Sequence, residues 1–312
     1  MKTLLFVGNF LVPHSTENDL KWTFEKLGWH VIAIQENTEI VPLPDDWVKA
    51  DAFLYVHTHG WGNPADIQTL IDMAKSAGIP TASFHLDRYW GLDAADSRES
   101  LVGDHPFWKT DHVFTADGGN DARFAARGVN HHWLKPGVVE RDCYLGTPDP
   151  EFQVDVAFVG SRYYHPEYPQ RGQLIEWLES TYGDRFRRFA GDTPSGTVRG
   201  STLNDLYASV KVVVGDCCFA GEMNYWSDRI PETTGRGGFL IHPNVPGLDH
   251  LGVAKFNPGD YLELRELIDH FLTNDEAREN MRRIGHEWTK RNATYTNRVR
   301  EMLDVMKVGS NV

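Results

Sequence analysis

Arg229 and Glu232 stand three residues apart, just ahead of the glycine-rich stretch Gly235-Arg236-Gly237-Gly238 and the apolar run Phe239-Leu240-Ile241. That combination suits a nucleotide. A carboxylate offers two acceptor oxygens to a vicinal diol such as the ribose 2′,3′ pair, and a guanidinium pairs with phosphate oxygens. A short helix starting near Ile230 would add unsatisfied backbone N–H groups and a partial positive charge, both favourable to anions. The same two residues could equally form an i,i+3 ion pair on a solvated helix.

A second basic group follows another apolar run. Val154 to Val159 leads into Gly160-Ser161-Arg162, and Gln170-Arg171-Gly172 announces the next helix. In open α/β sheets, ligands gather at the carboxyl ends of strands, where glycine admits a close backbone approach and the following helix supplies donors. Arg162 and Arg171 stand where an anionic ligand would meet them, and either could equally be a solvated loop residue. Neither Gly8-Asn9-Phe10-Leu11 nor Gly160-Ser161-Arg162 makes Gly-x-Gly-x-x-Gly, which disfavours a nicotinamide or flavin enzyme.

In the first half, polar groups again trail apolar runs: His14, His57-Thr58-His59-Gly60-Trp61-Gly62, His85-Leu86-Asp87-Arg88-Tyr89-Trp90 and Asp117-Gly118-Gly119-Asn120. A group transfer that deprotonates a hydroxyl needs a base within hydrogen-bond reach, and histidine or aspartate supplies one. Asp87, His14 and His85 are the candidate catalytic residues. Each has a structural alternative, His14 beside a helix cap at Ser15 or Thr16 and Asp87 in a pair with Arg88. His57-x-His59 has no Cys or carboxylate spaced to complete a tetrahedral set, and no metal is expected. Trp61, Tyr89, Trp90, Phe107 and Trp108 are rings that could stack on sugars or bases, or simply fill a core.

Elements that could position these groups are legible as apolar runs alternating with amphipathic stretches. The first half reads as strands over 4–10, 30–35, 52–57, 80–85, 112–116 and 132–134, with helices over 17–27, 65–77 and 121–127. Gly28, Gly78 and Gly128 fall where those helices should stop. Residues 135–150 have the Pro/Gly-rich composition of a linker. The rhythm then restarts, with strands over 154–159, 186–190, 210–214 and 239–242 and helices over 171–179, 202–208, 262–272 and 298–306. Both halves read as doubly wound parallel sheets of the α/β class.

Size and composition allow this. The chain of 312 residues, 41% apolar and 12% aromatic, can fill two cores. No apolar run approaches the ~18 residues of a membrane span, and Met1 to Val7 reads as a buried strand rather than a leader. Three cysteines, Cys143, Cys217 and Cys218, without metal-ligand spacing fit a reducing compartment, and a cytoplasmic location is expected. The formal charge is −13, with 12 basic against 21 acidic residues in the first 150 positions, which argues against a broad polyanion-binding face.

Arg-x-x-Glu followed by Gly-x-Gly-Gly-Phe-Leu-Ile resembles the carboxy-terminal signature of group 1 glycosyltransferases, in particular the branch similar to the spore-maturation CgeB-like proteins, found in bacteria and phages. The resemblance implies the GT-B fold: an acceptor-binding Rossmann-like domain over 1–145, a nucleotide-sugar-binding one over 151–290, an interdomain cleft, and a crossover helix over 291–312. It implies a UDP-sugar donor as co-substrate, no tightly bound cofactor, Glu232 on the donor ribose, and Arg162 and Arg171 on the diphosphate. The family's second glutamate, eight positions earlier, is matched by Asn224, with Glu222 nearby. Gly160, Ser161, Arg229 and Gly235 complete the expected donor site. The implied activity is transfer of a sugar to a hydroxyl. Hydroxymethylated pyrimidine in DNA is one candidate acceptor, to which Arg185, Arg187 and Arg188 could contribute, and a sugar-nucleotide epimerase of the same fold is the alternative reaction.

Overall fold

Leu4, Leu5, Phe6 and Val7 are all buried to within a few per cent, as a strand covered on both faces requires. They form β1 (Thr3–Gly8) of the computed structural model, which describes residues 1–36, 43, 47–57, 64–90, 101–163, 170–218, 225–249 and 251–309. The chain divides into two compact units: Met1–Lys135 together with Tyr295–Val312, and Pro136–Thr294.

The first unit carries β1, α1 (Thr16–Lys26), β2 (His30–Gln35), β3 (Ala52–Val56), α2 (Pro64–Ser76), β4 (Thr81–His85), β5 (His112–Thr115), α3 (Asp121–Ala125) and β6 (His131–Trp133). Its six strands are all parallel, in the order β2-β1-β3-β4-β5-β6. Ser15 caps α1 by accepting from the Asn18 N–H at 3.2 Å. Past the ends of α1, α2 and α3, Gly28, Gly78 and Gly128 take φ of 81°, 74° and 73°, the left-handed turn expected of a helix stop.

The second unit carries β7 (Val154–Val159), α4 (Gln170–Tyr182), β8 (Phe186–Phe189), α5 (Ser201–Ser209), β9 (Val210–Val214), α6 (Arg229–Gly235), β10 (Leu240–Pro243), β11 (Ala254–Phe256), α7 (Tyr261–Thr273) and α8 (Asp275–Asn292). Its strands are also parallel, in the order β11-β10-β9-β7-β8. The final helix, α9 (Tyr295–Val305), packs against α1 and belongs to the first unit.

Two elements depart from the sequence reading. The very short β11 carried no periodic signal. The 18 residues of α8 were missed because the face they bury holds Arg278, Gly285, His286 and Thr289 rather than aliphatics. That face is polar for a reason: the His286 Nδ1–H donates to the Gly235 carbonyl at 2.8 Å, and the Thr289 hydroxyl lies 2.7 Å from that of Thr234. The Gly235 carbonyl, left over at the end of α6, finds a donor there. Residues 136–150, linker-like in composition, are fastened to the second unit. The Val138 N–H donates to Ala293 O at 3.0 Å, and Asn204 Nδ2 donates to the carbonyls of Asp142 and Tyr144, each at 2.7 Å.

Candidate functional site

In the second sheet β7 pairs with β8 on one side and β9 on the other, so chain order reverses between β7 and β9. Ligands of open α/β sheets bind outside the carboxyl ends of strands at such a point. Gly160 follows β7 there with φ 141°, and a Cβ on it would lie 2.7 Å from Arg229 Nη2. Arg229 donates through Nη1 to the Val159 carbonyl and sits 4.7 Å from the Phe158 ring centroid. Two residues past β9, Asp216 is 1% exposed and grips two guanidiniums, Arg229 Nε at 2.7 Å on Oδ1 and Arg171 Nε at 2.5 Å on Oδ2. Burial works against the charged form of Arg229, but Asp216 and Asp228 outweigh it and hold the guanidinium charged. Two guanidiniums thus share one buried carboxylate at the switch point, with Asp228 acting on Arg229 as well.

Arg162 goes elsewhere. It pairs through Nη2 with both oxygens of Glu179 on α4, and the neighbouring Ser161 hydroxyl donates to Tyr163 O at 3.0 Å. Nothing joins Arg162 to the Arg171–Asp216–Arg229 cluster among the described residues. Asn224, and Glu222 with it, lies outside the described residues.

Glu232 lies in the first turn of α6, three residues past Arg229. Its Oε2 accepts from Arg236 Nε at 2.8 Å, and its side chain keeps 27% exposure while that of Arg236 keeps 5%. Burial raises the Glu232 carboxyl above its ordinary range, with Arg236 pulling the other way. The expected anion site on the backbone at the start of α6 does not form. The Arg229 N–H donates to Ser227 Oγ, that of Ile230 to Ser227 O and that of Glu232 to Asp228 O, while Pro231 has none. Gly235 has a packing reason to be glycine, since a Cβ would lie 2.6 Å from Val138 Cγ1 and 3.0 Å from Thr289 Cγ2.

Two central residues escaped the sequence reading. Asp216 follows β9 as Ser161 follows β7, and the strand-end rule applied to Val210–Val214 would have found it. Arg236 sat inside the glycine-rich stretch, where attention to glycine hid a side chain that binds at four places.

In the first unit, His85 is 5% exposed and its Nδ1 accepts from the Asp87 N–H at 3.0 Å. A backbone amide only donates, so the ring proton of neutral His85 sits on Nε2. That bond leaves Nδ1 engaged and turns Nε2 to any further partner. His57 lies with its ring centroid 6.0 Å from that of His85 and 4.6 Å from that of His105. Its Nδ1 is 2.7 Å from Tyr55 Oη and 3.8 Å from Glu36 Oε2. His14 is exposed, with φ 63°, just before the Ser15 cap. Asp117 is structural: buried, it accepts from the N–H groups of Tyr89 and Trp90 and from the Thr115 hydroxyl.

The rings offered as stacking platforms are core. Tyr89, Trp90, Phe107 and Trp108 are each at most 5% exposed and belong to the apolar cluster beneath the first sheet. Trp61 and His59 lie outside the described residues. The arginines expected to favour DNA are engaged within the chain, Arg185 with Asp155 and Arg188 with Asp192, each at 2.7 Å, and Arg187 with Glu151 O at 2.5 Å.

Residues 153–304, most of the second unit and all but the last residue of α9, match the family described as glycosyl transferase-like. No curated protein matches the chain. Among solved structures, the fold is similar to sucrose-phosphate synthase from Thermosynechococcus elongatus, with 10% identity, 98% of each chain covered and a TM-score of 0.63. It is also similar to Anabaena HepE in complex with UDP and glucose, with 9% identity, 98% and 100% covered and a TM-score of 0.62. An α-glucosyltransferase in complex with UDP and a 13-mer DNA aligns with 12% identity, 98% and 99% covered and a TM-score of 0.69. The two parallel-sheet units are those of the GT-B glycosyltransferase fold. No described helix is long and apolar enough to cross a membrane.

Proposed function

We propose that the chain is a glycosyltransferase of the CgeB-like branch that moves a sugar from a UDP-sugar to a hydroxyl. The observation that carries this reading is the Asp216-centred pair of arginines at the β7/β9 switch point, with Glu232 one turn into the adjoining helix. Bond cleavage at the anomeric carbon leaves charge on the departing diphosphate. Arg171 and Arg229, already ordered by Asp216, stabilise that charge without reorganising at the moment of reaction. Glu232 takes the ribose hydroxyls, so that the uridine end fixes where the pyrophosphate lies. The UDP partners of HepE and of the α-glucosyltransferase support uridine as the donor's base.

The first unit takes the acceptor. His57 follows β3 and His85 is the last residue of β4, and the His85 ring, its Nδ1 engaged by the Asp87 N–H, meets an acceptor oxygen as a hydrogen-bond donor. Incubation with UDP-sugars, with and without acceptor pools, tests the reading. UDP release that depends on an added hydroxyl compound is expected. Conversion of the sugar nucleotide with no acceptor present would make the chain an epimerase, and binding without turnover would leave only a nucleotide-sugar receptor. A nucleic-acid acceptor would show itself as turnover that falls steeply with added salt.

A further inference from the structure

Arg236 is the most completely bonded side chain near Glu232. Beyond Nε on Glu232, its Nη1 donates to Asn204 Oδ1 at 2.7 Å and to Gly200 O at 3.0 Å, and its Nη2 donates to Asp142 Oδ2 at 2.7 Å. Asn204, fully buried, is itself fixed by donating to two carbonyls of the 142–144 segment. The guanidinium is thus held from three parts of the second unit: the segment before β7, the start of α5 and the first turn of α6. Glu232 shows the opposite asymmetry. Its Oε2 is pinned against Arg236, while Oε1 has no hydrogen-bond partner among the described residues and the side chain stays partly exposed. A glutamate is otherwise rotamer-rich, and freezing one oxygen in advance removes an ordering cost that a ligand would meet on binding.

We propose that Arg236 is a positioning residue that sets Glu232 for a vicinal diol, making the site selective for a ribonucleotide over its 2′-deoxy counterpart. The inference rests on the reading in which Glu232 takes the donor ribose. A carboxylate with one anchored oxygen presents the other at a fixed place, and that oxygen accepts from a hydroxyl which a 2′-deoxy sugar lacks. A loose carboxylate would meet either sugar with similar indifference.

Calorimetric titration of UDP and 2′-deoxy-UDP into the full chain and its Arg236→Lys variant tests this. The unmodified protein is expected to prefer UDP by about tenfold, the scale of one charge-assisted hydrogen bond. Arg236→Lys, which keeps the charge but loses the planar fork, should bring the preference to about two- to threefold or less through weaker UDP binding, with 2′-deoxy-UDP unchanged. Asp142→Asn, a gentler change that removes one anchor of the fork, should lower the preference by a smaller factor and covers the case in which Arg236→Lys does not fold. Equal weakening of both nucleotides would mean a purely structural role and overturn the proposal, as would an undiminished preference. UDP binding with no preference in the unmodified protein overturns it while leaving the donor reading intact. Absence of UDP binding removes both.

Discussion

Asp216 holds the central contact of the site and is also a risk to the fold. It is almost fully buried between Arg171 and Arg229, and neither guanidinium is well exposed, with side-chain exposures of 8% and 18%. Removing one member of a buried charge group leaves its partners uncompensated. Asp216→Ala should therefore cost about 3–5 kcal/mol of stability, read as a lowered midpoint in chemical denaturation of the second unit. A loss below ~1 kcal/mol, the range of surface pairs, would show that the two arginines are solvated and not organised by this carboxylate. The sequence pointed to Arg171 and Arg229 through strand ends and a motif, but their joint partner lies 45 residues from one of them. Local spacing carries no record of such pairing. Arg162 shows the converse, since a basic residue placed correctly after a strand found Glu179 on the neighbouring helix instead.

Glycine at position 235 belongs to the packing of elements. α6 is pressed between the 136–150 segment and α8, and Gly235 lets Val138 and Thr289 approach its backbone. Gly235→Ala should destabilise by about 1–3 kcal/mol through overpacking, while UDP affinity measured well below the melting temperature stays within about twofold. A large affinity loss with unchanged stability would return Gly235 to the donor site. Most elements were legible because buried parallel strands and amphipathic helices write their burial into apolar spacing, as β1, β7, β9 and α7 do. α8 was not legible, since its buried face holds polar side chains, with His286 on the Gly235 carbonyl of α6, Thr289 on the Thr234 hydroxyl and Arg278 on the Phe271 carbonyl of α7. The first turn of α6 was misread for a related reason, because Ser227 and Asp228 consume the amides that a helix start usually leaves open.

At the scale of the whole molecule, His242 ties stability to pH. It is fully buried at the end of β10, its Nδ1–H donates to Pro243 O at 2.8 Å, and burial pushes its pKa down to about 4. The unfolded chain binds this proton near pH 6.5, so the stabilising contribution is complete above that value. It is lost progressively as pH falls from about 6.5 towards 4, at up to about 1.4 kcal/mol per pH unit. His242→Gln should flatten denaturation midpoints across that window relative to the unmodified chain. An identical slope in both would show that His242 binds its proton equally in the folded and unfolded chain. Two parallel-sheet units and a net charge of −13 describe a molecule whose basic side chains sit in local paired clusters, such as Arg171 and Arg229 on Asp216, and not in a basic face.

The most direct test of the central claim is calorimetric titration of UDP and uridine against the unmodified protein and Arg229→Met. Removing this guanidinium leaves Arg171 neutralised by Asp216, so the switch point loses the cation that faces the diphosphate. UDP affinity is expected to fall about 10- to 100-fold, near the 1.5–3 kcal/mol of a charge-assisted contact, with uridine binding unchanged. Equal loss for both ligands, or UDP binding indifferent to the substitution, would contradict a diphosphate held at the β7/β9 switch point.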